Sequence, residues 1–388
     1  MFGNVTPEKA ISFTRFSVSL NCCWPLPPTA TKTQLIRFKI QRFLAIVSSL
    51  ALVLPLIYAL HVHRNDSIIL TKAACLAVAC SQIPVQSSFC IAFYDRIQAL
   101  IEEMMDYCVN AKPYERSILQ QYVDKYSTFY GASAIWVFLT AVAFSVVTLL
   151  LDQPFQTEAE YPFRVDYEPL RTVIFIHQFV VGLQCASIVC VNVFAALLLL
   201  FAAALFEILM VDLRAVQNIE MLIECILRYY HVRRYAQEVV VFARYTALFT
   251  TIVASFPLVL CGLQIIGRQS LAVKVPFIFL VLTALTEVFM CAWPADILMD
   301  ASANAIRGLY ESTWYDQPLE LQKIVMYTLI PQKPIIVSVA CVIPIMSLNY
   351  YCSYVGNAFS IFTALRIVMD DEDEDLMRES FNSTLTSG

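Results

Sequence analysis

The sequence predicts an all-α membrane protein: seven transmembrane helices, a cytoplasmic N-terminus, an extracellular C-terminus, and helices extending into a cytoplasmic anchor layer. Three observations carry that expectation. Hydrophobic residues make up 59% of the 388-residue chain and charged residues 15%, with a mean hydropathy of +0.65, whereas soluble domains hold roughly 45 to 50% and 25%. Charge-poor apolar stretches long enough to cross a hydrocarbon core of about 30 Å recur seven times. Lysines and arginines gather on alternate connections, seventeen on one set and six on the other, and the richer side is the one retained in the cytoplasm.

The first 39 residues lack the apolar core of a secretory signal and carry the turn Trp24-Pro25-Leu26-Pro27-Pro28. They are expected to form a cytoplasmic segment. Residues 40–299 then hold six spans: Phe43 to Leu60, Ala73 to Tyr94, Ser127 to Leu151, Thr172 to Phe206, Tyr245 to Gly267, and Val275 to Ala295 with one acid, Glu287. Prolines within spans, such as Pro55, Pro84, Pro257 and Pro344, are tolerated in membrane helices as kinks. The fourth span is too long for a bilayer, because 35 helical residues reach about 52 Å. Its end must project or bend, feeding the charged stretch Asp212 to Arg244 into a helical layer below the membrane, where subunits could meet. Residues 300–333 are expected to form a cytoplasmic anchor segment. Residues 334–369 would be a seventh helix interrupted only by Arg366, and 370–388 an extracellular tail. The formal charge of -5 resides in that tail, whose run Asp370 to Asp375 carries six carboxylates.

None of the thirteen cysteines falls in an expected outer loop, so no disulfide framework is expected. Asn65 and Asn382 begin glycosylation sequons on expected outer segments, whereas Asn4 lies on the expected inner side. No HExxH, CxxC or P-loop occurs, and His61-Val62-His63 is too small a constellation for a metal. An enzyme, a cofactor and a nucleic-acid partner are therefore not expected. A transporter would show an inverted repeat with paired broken helices, and no convincing repeat is visible.

A rhodopsin-like receptor fails on orientation, on the missing outer-loop cysteine and on the absent NPxxY. Tyr94-Asp95-Arg96-Ile97 is only a partial DRY, and Cys291-Ala292-Trp293-Pro294 does not match CWxP. The last 80 residues point elsewhere. Gly308-Leu309-Tyr310-Glu311-Ser312-Thr313-Trp314-Tyr315 resembles the signature before the seventh helix of insect odorant receptors. Gln332-Lys333-Pro334 resembles that family's short break before the membrane part of the helix. Pro344, Ser347 and the segment Ser360 to Leu365 resemble its continuation, and Cys23-Trp24-Pro25 the motif before the first helix. The TYxxxxxQF pattern of the sister gustatory receptors is absent, and so is the long insertion between the fourth and fifth helices that marks the odorant coreceptor.

The resemblance implies an odorant-tuning subunit in the plasma membrane of a sensory neuron dendrite, assembled with odorant coreceptor subunits as a heterotetramer around a pore for cations. In this chain it implies a pore stripe of Gly356, Ser360, Ala364, Ile367 and Val368 on the seventh helix. Gly356 and Ser360 form a small-xxx-small step, and the apolar residues beyond could gate by dewetting. Arg366 and the acidic tail depart from the family pattern, and the tail could concentrate cations at the outer mouth. The odorant pocket would lie among the second, third, fourth and sixth helices in the outer half of the membrane. Chosen by depth and residue type, the candidates are Ser81; Phe138, Phe144 and Ser145; Phe175, His177, Gln178, Phe179 and Gly182; and Phe279 and Thr283. A small volatile, aromatic ligand is expected. Glu287 is a further functional candidate, because a membrane carboxyl is costly.

Overall fold

A computed structural model describes residues 5–150, 155–165, 167–266, 271–330, 332–339, 342–364 and 366–367. It consists of helices in this order: α1 (Pro7–Ser17), α2 (Lys32–Val62), α3 (Ser67–Ala92), α4 (Tyr94–Asn110), α5 (Pro113–Leu150), α6 (Leu170–Arg214), α7 (Ile219–Ile266), α8 (Leu271–Asn304), α9 (Arg307–Tyr310) and α10 (Leu319–Thr328). A last helix, α11, covers residues 348–364. Among the described residues six helices are long and apolar enough to cross a membrane; α2, α6 and α8 contain the first, fourth and sixth expected spans, α3 ends at Ala92 two residues short of the second, and the last residues of the third and fifth, Leu151 and Gly267, lie outside the described residues.

Local chemistry sets where these helices begin. Thr6 caps α1 ahead of Pro7 at the first helical position, and Thr31 with Gln34 closes a reciprocal capping box on α2. The Asp66 carboxylate accepts from the Ile68 and Ile69 amides at 3.0 and 3.2 Å, starting α3 after a four-residue turn. Pro55, Pro84 and Pro257 sit inside α2, α3 and α7 as expected.

The fourth span becomes the axis of the bundle. In its most apolar stretch 94% of α6 is buried, against 33 to 44% for the other five spanning helices. Lipid tails are as apolar as leucine, so helices associate in a bilayer through close packing rather than water exclusion. Ala195, Ala196, Ala202, Ala203 and Ala204 are at most 4% exposed and let neighbouring helices approach from every side. The expected projection is also present. α6 runs to Arg214, and α7 returns from Ile219 through the charged stretch. There α4, the first turns of α5, the end of α6, the start of α7, α9 and α10 form a layer beyond the apolar spans.

That layer holds a compact charge cluster. Arg228 donates to Glu115 at 2.6 Å and pairs with Asp212, while the Tyr114 hydroxyl donates to Asp212 at 2.6 Å. Burial pushes the Glu115 carboxyl up, but hydrogen bonds from Arg228 and the Lys112 amide outweigh it and hold the group below its ordinary value. Its contribution to stability is therefore full above the ordinary value near 4.5 and lost as pH falls through the lower folded value. The melting temperature of the solubilised protein should drop across that window, and the drop should be smaller in Glu115→Gln. An unchanged acid profile in the variant would remove Glu115 as the cause.

The N-terminal segment is drawn into the helices. Asn21 Nδ2 donates to the Gln184 carbonyl at 2.7 Å, Ser187 Oγ to the Ser17 carbonyl at 2.8 Å, and the Trp24 ring lies 4.9 Å from Phe194. Arg42 is only 6% exposed and donates to the carbonyl of Cys22, a left-handed residue at φ 52°.

One expectation fails. The seventh span was expected to be continuous from Pro334 to about Met369, but the described residues between 332 and 346 are not helical, and Pro344 lies outside any helix. Pro334 and Pro344 cannot donate to a helix, and Ile335, Ile336, Val337, Val339, Val342 and Ile343 favour extended backbone. A single bridge, Val339 to Ile343, closes this stretch. Ser302 Oγ accepts from the Ile335 amide at 2.9 Å, and Arg233 donates to the Lys333 carbonyl at 3.0 Å. Helix resumes only at 348, after Ser347.

Candidate functional site

A cavity of about 170 Å³ lies between α3, α5, α6, α7 and α8, under the connection of α5 to α6. On α6 its wall is Gln178, Gly182, Cys185, Ala186 and Val189, the i, i+4, i+7, i+8, i+11 stripe of one helix face. Eleven residues at about 1.5 Å each give it a length of about 16 Å along that helix. Small side chains create the space: Ala79, Ala141, Ala254 and Ala284 face it from the other helices. A Cβ added at Gly182 would meet nothing within 4 Å.

Residues 155–165 cover one end. The Gln178 amide oxygen accepts from the Gln156 and Thr157 amides at 3.0 and 3.3 Å, and its nitrogen donates to the Tyr161 hydroxyl at 3.2 Å. Glu160 donates from its amide to the Pro55 carbonyl at 3.2 Å, His63 meets the Glu160 carboxylate at 2.9 Å, and Lys72 pairs with Glu158 at 3.5 Å. Gln178 thus lines the cavity while fastening its cover. Replacing it with leucine removes three hydrogen bonds and should raise the half-maximal concentration of a ligand about tenfold, with surface expression retained. Bonds of this kind contribute about 1 kcal/mol each. An unaltered dose response would show that the ion pairs and the Glu160–Pro55 hydrogen bond suffice to hold the cover.

At the far end lie Glu287 of α8, 7% exposed, and Gln82 of α3, 4% exposed. The Gln82 amide oxygen has no partner among the described residues, nor has the Thr157 hydroxyl. α7 and α8 also carry the last helix on another side. Ser255 donates to the Tyr354 hydroxyl at 3.4 Å, the rings of Phe289 and Tyr351 lie 5.2 Å apart, and the Phe362 ring sits on Gly262.

A family model described as 7tm Odorant receptor matches residues 68–359. The chain belongs to the odorant receptor family. Two solved structures share the receptor's fold: the insect olfactory receptor OR5 from Machilis hrabei, and the same protein in complex with eugenol. The first has a TM-score of 0.75 at 15% identity, covering 92% of this chain and 97% of the other. For the second the values are 0.73, 15%, 93% and 97%. A search of curated proteins finds no match. Family membership makes the chain a multi-pass membrane receptor rather than an enzyme.

The expected pocket residues divide in the receptor. Phe144, Gln178, Gly182 and Thr283 line the cavity, with Glu287. The others turn elsewhere. Ser81 and Ser145 donate back to the Val78 and Ala141 carbonyls of their own helices, and His177 meets the Ser48 carbonyl of α2 at 3.0 Å. The Phe279 ring stacks on Trp136 at 5.2 Å, Phe138 packs into the bundle, and Phe175 offers only its carbonyl, to Gln156. Phe179 is half-buried off the stripe. Gln82, the alanine walls and all of α7 were missed. The usable signal was a run of small residues at helical spacing, because space opens where side chains are short.

On α11, Gly356, Ser360, Ala364 and Ile367 fall on one exposed stripe, while Tyr354, Ala358 and Phe362 turn to the bundle. Val368, Asn382 and the acidic run lie outside the described residues, and Asn65 is exposed in the turn between α2 and α3. A larger apolar cavity, about 270 Å³, lies under α1 against α4, α5 and α6, and holds none of the expected residues.

Proposed function

We propose that this receptor is an odorant-tuning subunit: it binds a small, ring-sized volatile in the covered cavity and opens a cation pore formed with odorant coreceptor subunits. The carrying observation is the shared use of α7 and α8, which wall the cavity through Ala254, Pro257, Ala284 and Glu287 and hold α11 through Ser255, Gly262 and Phe289. A ligand that reshapes the cavity acts on the same two helices that position the exposed stripe Gly356, Ser360, Ala364 and Ile367, which lines the pore in this reading.

Size sets the ligand class. An apolar cavity of about 150 Å³ accepts benzene, so about 170 Å³ suits one ring with a short substituent. That OR5 is known with eugenol makes small aromatics the first panel to try. A ligand of ten heavy atoms at micromolar affinity needs about 8 kcal/mol, reachable only if it is almost wholly buried. Switching from mostly closed to mostly open takes about 5.5 kcal/mol of preference for the open state. Orientation follows the charge count, with the N-terminus and the Arg228 cluster in the cytoplasm and the cavity cover, Asn65 and the acidic tail outside.

The test is whole-cell current under a panel of small aromatics, with and without the coreceptor. Odorant-evoked cation current in co-expressing cells alone is the expected result. Current from the chain alone would replace this reading with a self-sufficient channel, and silence in both at verified surface expression would overturn it.

A further inference from the structure

Resting on that pocket, we propose that Glu287 and Gln82 form an acceptor site selecting hydroxyl-bearing ligands over hydrocarbons of the same shape. Both side chains line the far end of the cavity, and both are more than nine-tenths buried. A carboxyl at this depth is costly unless a hydrogen bond engages it, and Gln82 is its neighbour. The Gln82 amide oxygen, on the cavity wall with Glu287, is buried and without a partner among the described residues. The unmet capacity at this end is therefore an acceptor, and the complementary ligand group is a donor.

The remaining walls sharpen the choice. Cys185, Ala186, Val189, Ala254 and Ala284 offer an apolar body its surface and give a polar group nothing to bond. The Gln178 amide, at the covered end, is already engaged by Gln156, Thr157 and Tyr161. A ligand hydroxyl meets the Glu287 carboxyl and the Gln82 amide oxygen together at this end, against the Thr157 hydroxyl at the covered end, which favours the orientation that puts it beside Glu287. A site built to bond a hydroxyl rejects an analogue lacking it far more strongly than an apolar pocket rejects a changed methyl group.

The experiment uses matched probes, p-cresol against p-xylene and benzyl alcohol against ethylbenzene. The readout is the ligand-induced rise in melting temperature of the full-length receptor in nanodiscs, which needs no agonism. In the wild type the hydroxyl member should stabilise at a concentration at least tenfold lower. In Gln82→Leu and Glu287→Leu the ratio should collapse towards one, through weaker binding of the hydroxyl member only. Glu287→Gln, which keeps an acceptor, should retain part of the preference. Equal concentrations within each wild-type pair, or a preference surviving in both leucine variants, would overturn the proposal. Binding of all four probes unchanged by Gly182→Val would instead remove the pocket itself, and the two failures are thereby distinguished.

Discussion

Gly308→Ala should abolish accumulation of folded receptor at the cell surface. A Cβ at Gly308 would stand 2.0 Å from the Met210 carbonyl oxygen and 2.9 Å from its carbon. Met210 lies in the last turns of α6, so the obstruction is backbone that cannot swing aside as a side chain does. Neighbouring contacts deepen the cost. Leu309 is fully buried, and Glu311 is tied to Arg214 of α6 and to Arg307. Separating α9 from α6 would break these together. Ordinary overpacking costs about 1 to 3 kcal/mol, and a rigid clash at this distance lies beyond that range, against a total stability of about 5 to 15 kcal/mol. Surface labelling and size-exclusion of the solubilised protein provide the measurement. Gly182→Ala, facing open space, is the control expected to fold normally. Normal surface levels for Gly308→Ala would mean that α9 does not dock as described.

Gly262→Ala should spare folding and impair gating. The added Cβ would lie 2.1 Å from the Phe362 ring, so the ring must swing aside or retreat by more than 1 Å to reach ordinary contact. The α7–α11 contact is thereby shifted while the cavity lining is left intact. The expected result is normal surface expression with ligand-evoked current reduced at least tenfold, equivalent to about 1.4 kcal/mol of lost preference for the open state. Phe362→Leu in the same chain should restore part of the response, and this coupling is what a double-mutant cycle isolates. If the two changes are merely additive, Gly262 and Phe362 do not communicate.

The helices were legible because membrane spans announce themselves by length and apolarity, and the excess length of 172–206 announced the layer beyond the bilayer. The break before α11 was less legible. Apolarity continues through Ile335, Val337 and Ile343 as it would in a helix, and only paired prolines and β-branching separate the two outcomes. Pocket residues were half legible. The expected residues lie at the depth of the cavity, but only Phe144, Gln178, Gly182 and Thr283 of them are on its wall. His177 lies at the right level of α6 but turns to α2, Phe179 lies beside the stripe outside the lining, and Phe175 shares the face of Gln178 and Gly182 one turn beyond the lining residues. Aromatic rings were favoured as ligand contacts, yet they mostly fill space themselves. The charge count predicted orientation but could not reveal that Asn21 and Trp24 fold back against α6.

The enclosure of the central stretch of α6 has a mechanical consequence. A helix of 45 residues, about 67 Å long and almost wholly buried along its most apolar stretch, can tilt there only by displacing its neighbours. That makes it the natural fulcrum for the proposed gating. In the gating proposed above, movement would fall to the members it braces, with α7 and α8 as lever arms and α11 as the load, so that work done by a molecule of a few ångströms would arrive at the far helix as rotation about a stationary post.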